Sequence, residues 1–141
     1  MILFLGANVL FSAVRNPEGR AAAIIELAGH GLCSLVSSPH AVEEARRNLD
    51  LKHPELAPRL APLLSMLRIC RESSPEGVAW AEAEGLPLKD APILAAAVEA
   101  RADLLVTGDR AHFGRLYGRK VRGLEVVPTA TALARLLKAL A

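Results

Sequence analysis

Glutamine is absent from this chain, and aromatics are few: three Phe, one Tyr and one Trp among 141 residues. Only two cysteines occur, Cys33 and Cys70, which excludes a disulfide framework. No CxxC pair or Cys/His cluster stands at zinc spacing. The two thiols are expected to be packed and reduced, as in a cytoplasmic protein. No apolar run approaches the roughly 18 residues of a membrane span, because Arg, Glu or Pro interrupts each one. The apolar start Met1–Leu5 has no basic residue before it, so it is not expected to be a signal peptide. Neither a GxxxxGK[ST] loop nor a GxGxxG turn occurs, so the usual signatures of nucleotide cofactors are missing. No GxSxG elbow supports a triad built from Ser37 and His112. The net charge of +2 is too small to argue for a partner. Arg outnumbers Lys thirteen to four, a bias that thermophily and a GC-rich genome explain equally well.

What remains is a globular balance, 52% hydrophobic and 23% charged. One domain over residues 1–141 can bury a core without staples. Ile2–Leu5 reads as a strand buried on both faces. Asn16–Gly19 is a turn, and residues 20–28 are helical up to Gly29. Residues 32–36 form a strand; Ser38 then caps a helix with Pro39 in its first turn, running to about Asn48. A second helical stretch runs from His53–Pro54 to about Leu67, interrupted by Pro58 and Pro62. A short strand at 68–71 and helices over 75–84 and 89–101 follow. Then come a strand at 103–107, a last short strand at 125–127, and a helix capped by Thr129 that carries Leu133, Leu136, Leu137 and Leu140. Strands alternating with helices predict an α/β sandwich around a mostly parallel sheet.

Such sheets place their sites beyond the carboxyl ends of the strands. Glu44, Asp90 and Asp109 can converge there. Clustered carboxylates repel one another unless a cation joins them, and hard oxygen ligands select Mg²⁺ or Mn²⁺. Those ions suit phosphodiester hydrolysis. A structural reading stands beside this one. Glu43 and Glu44 can sit in the first turn of a helix, while Asp90 and Asp109 can cap helices.

Three blocks resemble the PIN-domain family. They are Met1-Ile2-Leu3-Phe4-Leu5-Gly6-Ala7-Asn8 with the residues up to Ala13, Leu88-Lys89-Asp90-Ala91 with the residues up to Ala97, and Ala102 to Phe113 with its TGDR-x-HF ending. They keep the family's order over most of the chain. Residues 50–87 are unspecific. The resemblance implies a three-layer α/β/α fold and a Mg²⁺- or Mn²⁺-dependent ribonuclease acting on single-stranded RNA. It also implies kinship with the VapC-type toxins of toxin–antitoxin pairs. It assigns Glu44, Asp90 and Asp109 as metal ligands and catalytic residues, with Asn8 and Thr107 in support. Asp103 is expected to cap its strand. A homodimer is implied, which the apolar face of the C-terminal helix permits, and so is an antitoxin partner. The departure is Gly6, where the family has a ligating Asp. A site short of one charged ligand should hold its ion less firmly and activate water less well. Either the chain is a catalytically inactive module that binds RNA or a protein partner, or one residue has changed in an otherwise intact nuclease motif.

Residues 110–122 hold Arg110, Arg115, Arg119, Lys120 and Arg122, with His112 and no acid. Cations neutralise phosphates and aromatics stack on single-stranded bases, so this stretch is a candidate RNA surface, which Arg46 and Arg47 can extend. The bland alternative is a solvated face with Phe113 in the core. His30, His40 and His53 have no partner at metal spacing. Trp80, alone in an alanine-rich helix, is expected to be a packing residue.

Overall fold

Ile2–Leu5 (β1) lies inside a six-stranded sheet in the computed structural model, which describes residues 1–140. Its Leu3, Phe4 and Leu5 are fully buried, as an unbroken apolar run must be when helices cover both faces. Ser34–Ser37 (β2) and Leu104–Val106 (β4) flank it in parallel, with Leu3 in register with both Leu35 and Leu104. Arg68–Ile69 (β3) pairs with β2, and Leu124–Val127 (β6) with β4, again in parallel. Lys120–Val121 (β5) closes the far edge antiparallel to β6, giving the order β3-β2-β1-β4-β6-β5.

The helices are Ala7–Arg15 (α1), Arg20–Gly29 (α2), Pro39–Lys52 (α3), Leu60–Leu64 (α4), Pro75–Ala83 (α5), Ala91–Glu99 (α6), Arg110–Phe113 (α7) and Thr129–Lys138 (α8). From β1 the chain winds outward through β2 to β3, then crosses to β4 and winds the other way to β6. Right-handed crossovers therefore put α1 to α4 on one face and α5 and α6 on the other. Packing agrees: α1 lies against α2 and α3, α2 against α8, and α5 against α6. This is the α/β/α sandwich expected from the sequence. The winding reverses between β1 and β4, and that reversal leaves a crevice beyond their carboxyl ends.

Local signals explain much of this. Ser38 Oγ accepts a hydrogen bond from the Ala41 amide at 3.2 Å, with Pro39 behind it, so α3 starts where expected. It continues to Lys52, past the expected end at Asn48. Because α3 begins at Pro39, no acid falls in its first turn, and Glu43 and Glu44 lie beyond the strongest field of the helix dipole. Residues 7–15 carry no cap side chain, since Gly6 precedes them, yet Val9, Leu10, Ala13 and Val14 bury one face and make them helical. The stretch after His53 becomes a 3₁₀ turn (Pro54–Arg59) and the five-residue α4, because Pro58 cannot donate to a longer ladder. The small strand β5, unexpected from the sequence, follows from a two-residue turn. Arg122 (φ 50) and Gly123 (φ 83) both take positive φ, as a type I′ hairpin needs. Thr129 is the first residue of α8 rather than its cap, a position held by Pro128 with no side-chain bond. On α8, Ala132 and Leu136 are buried, while Leu137, and Leu140 just beyond the helix, are exposed.

Candidate metal centre

The crevice is built from the ends of β1 and β4. The Gly6 amide donates to the Val106 carbonyl at 3.0 Å, which joins the two strand tips. Asn8, in the first turn of α1, accepts the Gly108 amide on its Oδ1 at 3.1 Å. Thr107 is buried; its Oγ1 accepts the Asp109 amide at 3.1 Å and its carbonyl accepts the Tyr117 hydroxyl at 2.9 Å. Burial raises the Tyr117 pKa, with Arg110 opposing and Asp109 adding to the rise, so the phenol stays a donor. Asn8 and Thr107 thus fix the loop that carries Asp109.

The crevice is lined by Gly6, Asn8, Glu44, Asn48, Lys89, Asp90, Thr107 and Asp109, with Ile93 and Phe113 as apolar floor. Phe113 is 2% exposed, so it packs in the core. Asp90 precedes α6 and Glu44 projects from α3, so the lining comes from four separate stretches of chain. Asp109 accepts the His112 amide on Oδ1 at 3.2 Å, which caps α7, while its Oδ2 lies 2.8 Å from His112 Nδ1. Asp90 behaves differently. It occupies the cap position of α6 but makes no cap hydrogen bond.

Asp90 is only 2% exposed. Its Oδ1 accepts from Lys89 Nζ at 3.2 Å. Its Oδ2 lies 3.0 Å from His112 Nδ1, but that nitrogen makes its hydrogen bond with Asp109 Oδ2. Oδ2 is consequently a buried oxygen with no donor of its own. Burying an unpaired carboxylate oxygen costs free energy unless a cation joins it. Lys89 Nζ also stands 3.6 Å from Glu44 Oε1. Burial works against the Lys89 ammonium, but the hydrogen bond and charge of Asp90, with Glu44 and Asp109, outweigh it and raise its pKa. The lysine therefore remains charged as the counter-ion between Glu44 and Asp90. One carboxylate oxygen from each of Asp90 and Asp109 lies within 4.8 Å of the other and of His112 nitrogen, a grouping that a metal ion fits. Glu44 is not in that tight group; it reaches it through Lys89.

Gly6 has ordinary extended backbone (φ −71, ψ 168), which any residue adopts. A Cβ there would meet nothing closer than the Val106 carbonyl oxygen at 3.4 Å. Neither conformation nor space demands glycine at this position.

Lys89, Asn48 and His112 are site residues that the sequence reading did not assign. Their signals are local. Lys89 adjoins Asp90, Asn48 is four residues after Glu44 on one helix face, and His112 is three after Asp109. The basic stretch divides. Arg110, Arg119 and Lys120 are exposed. Arg115 and Arg122 are exposed as well, but each is also tied to the region of α5: Arg115 donates to the Glu84 carbonyl beyond its end, and Arg122 stacks 4.1 Å over the Trp80 ring. At the other end of the sheet, Asp103 Oδ2 accepts the Ile2 amide at 2.7 Å, a tie between strands well away from the crevice.

A family model described as PIN domain matches residues 3–111, well over half of the chain. Among solved structures, VapBC2 from Rickettsia felis bound to a DNA fragment from their promoter is similar with a TM-score of 0.68, at 22% identity over 91% of this chain and 98% of that chain. PAE2754 from Pyrobaculum aerophilum gives 0.66 at 21% identity, over 98% and 99%. VapC20 from Mycobacterium tuberculosis, a sarcin–ricin loop cleaving toxin, gives 0.57 at 15% identity, over 77% and 92%. At these identities the likeness is one of fold. No curated protein matches the sequence. Among the described residues no helix is long and apolar enough to cross a membrane.

Proposed function

Since the chain belongs to the PIN-domain family, we propose that it is a metal-dependent endoribonuclease that hydrolyses phosphodiester bonds of single-stranded RNA. The observation that carries the reading is the buried, donorless Asp90 Oδ2 beside Asp109 at the β1/β4 crevice. Asp90, Asp109 and Glu44 are the ligating and catalytic carboxylates of this reading. A bound Mg²⁺ or Mn²⁺ supplies Lewis acidity toward the phosphate and a water of lowered pKa. The protein's own groups do the rest. Asn8 and Thr107 hold the Asp109 loop in place. Lys89 offers a charged donor at the mouth of the crevice, where a phosphate can exchange for a carboxylate. Arg110, Arg119 and Lys120 hold the strand outside, while Arg115 and Arg122 shape that surface through α5.

Gly6 weakens the activity by removing one charged ligand. It also supports a second reading, a catalytically silent module that binds RNA or a protein partner. The test is Mn²⁺-dependent cleavage of single-stranded RNA by this chain and by Gly6→Asp, side by side. Cleavage by both, faster in the variant, is the expected result. RNA binding without cleavage in either supports the silent module. Binding should weaken steeply with salt, and Arg119→Ala with Lys120→Ala should reduce that slope by about two.

The similarity to VapBC2 supports a toxin role with an antitoxin partner, in the cytoplasm where the free thiols Cys33 and Cys70 stay reduced. Exposed Leu137 and Leu140 on and just beyond α8 support a homodimer, which light scattering of the wild type and of Leu137→Glu tests.

A further inference from the structure

The donor atoms that converge in the crevice are not three carboxylates but two carboxylates and an imidazole. We propose that His112 ligates the divalent ion through Nδ1, together with Asp90 and Asp109, and that this nitrogen turns the site toward Mn²⁺ and later transition metals over Mg²⁺. The proposal rests on the metal-dependent reading above and revises its ligand set, putting His112 beside Asp90 and Asp109 where that reading has Glu44.

Four observations carry it. First, the distances suit a shared ion. His112 Nδ1 is 2.8 Å from Asp109 Oδ2 and 3.0 Å from Asp90 Oδ2. Adjacent ligands around an octahedral ion at about 2.1 Å stand about 3.0 Å apart, so these atoms need little movement to share one. Second, Asp90 Oδ2 is buried and lacks a donor, so the carboxylate is aimed into the group without a protein partner of its own. Third, Glu44 is engaged elsewhere: Lys89 stands between it and Asp90, and its carboxylate lies outside the tight group. Fourth, Gly6 contributes no side-chain oxygen, which leaves the set short of one ligand that His112 is placed to supply.

The chemical consequence follows from ligand type. Mg²⁺ prefers hard oxygen donors and dehydrates reluctantly, whereas imidazole suits the transition metals, whose affinity for nitrogen sites rises beyond Mn²⁺. Exchanging a carboxylate for a neutral imidazole also lowers the negative charge that favours Mg²⁺. Ligation through Nδ1 places the ring proton on Nε2, which points away from the two carboxylates.

A structural role for His112, holding Asp109 by a hydrogen bond, would produce none of the nitrogen signature below. The experiment is metal binding by the full chain, read by calorimetry with Mn²⁺ and Mg²⁺ and by electron spin-echo modulation of the Mn²⁺ complex. The wild type should show coupling of Mn²⁺ to a ¹⁴N nucleus and bind Mn²⁺ more tightly than Mg²⁺. His112→Ala and His112→Gln should lose that coupling and about tenfold or more in Mn²⁺ affinity, with a smaller loss for Mg²⁺. His112→Gln keeps an amide donor beside Asp109, and the wild-type spectrum alone decides the matter if the variants fold poorly. Mn²⁺ bound without ¹⁴N coupling, or with the same affinity in both folded variants, overturns His112 as a ligand and leaves the metal-dependent reading standing. A wild type that binds neither ion overturns both.

Discussion

The two ends of the β1/β4 pair use the same residue types to opposite purposes. At the amino end Asp103 and Glu125 each have their own donor. Asp103 accepts the Ile2 amide at 2.7 Å, and Glu125 pairs with both guanidinium nitrogens of Arg135, at 2.9 and 2.5 Å. At the carboxyl end three acids crowd one crevice, and one oxygen of a 2%-exposed aspartate has no donor. Saturated acids hold the fold together. Acids crowded inside a crevice mark a place where a cation from outside completes the structure. The difference lies in surroundings and not in the side chains.

Neutralising an acid at each end is the strongest way to break the comparison. Asp90→Asn should lower both Mn²⁺ affinity and RNA cleavage by about 100-fold or more, since an ion at such a site supplies several kcal/mol. Calorimetry and a single-turnover cleavage assay read both, and an unchanged rate would remove Asp90 from the site. Gly6→Asp works in the opposite direction. It adds the missing carboxylate at a position with room and ordinary backbone, and both quantities should rise about tenfold together. Equal activity in both forms would refute the role given to residue 6.

The amino end should respond in stability alone. Asp103→Ala should cost about 1 kcal/mol in urea denaturation and leave cleavage untouched. The smallest effect concerns Glu125. The hydrogen bond and charge of Arg135 hold the Glu125 carboxyl below its ordinary value, despite some opposing burial. A depressed carboxylate stabilises the fold above the unfolded-state pKa, near 4.3–4.5, and that contribution disappears as the pH falls through the lower folded value. Arg135→Ala should therefore cost less than about 1 kcal/mol at pH 7, with the difference from wild type vanishing in acid. Denaturant midpoints at the two pH values check this.

Much of this was legible beforehand because its causes are local. The ILFL run, the Ser38–Pro39 cap and the Leu104–Val106 strand each announce themselves within a few residues. So does Phe113 as core, whereas Asp103, read as capping its own strand, bonds the Ile2 amide of the neighbouring one. Other features were hidden for equally physical reasons. Helix α1 follows a glycine with no capping side chain, so only its buried face makes it helical. Strand β5 exists because two consecutive positive-φ residues turn the chain, and one of them is an arginine that does not advertise such a turn. The basic stretch looked like one surface, but Arg115 and Arg122 are held by the unspecific region of residues 75–84, whose position no short pattern reveals.

The order of strands and helices, the capping of α3, and the lack of an acid at residue 6 were all decided by the chain's own residues. These depend on neighbours a few positions apart. Which acids meet was decided only by tertiary structure. The reversal of winding between β1 and β4 brings the loops after both strands beside the start of α6, stations up to a hundred residues apart. That same packing puts Lys89 between Glu44 and Asp90 and aims His112 at Asp90. Partnership among charged groups depends on distances of a few ångströms, and those are set by how the layers pack.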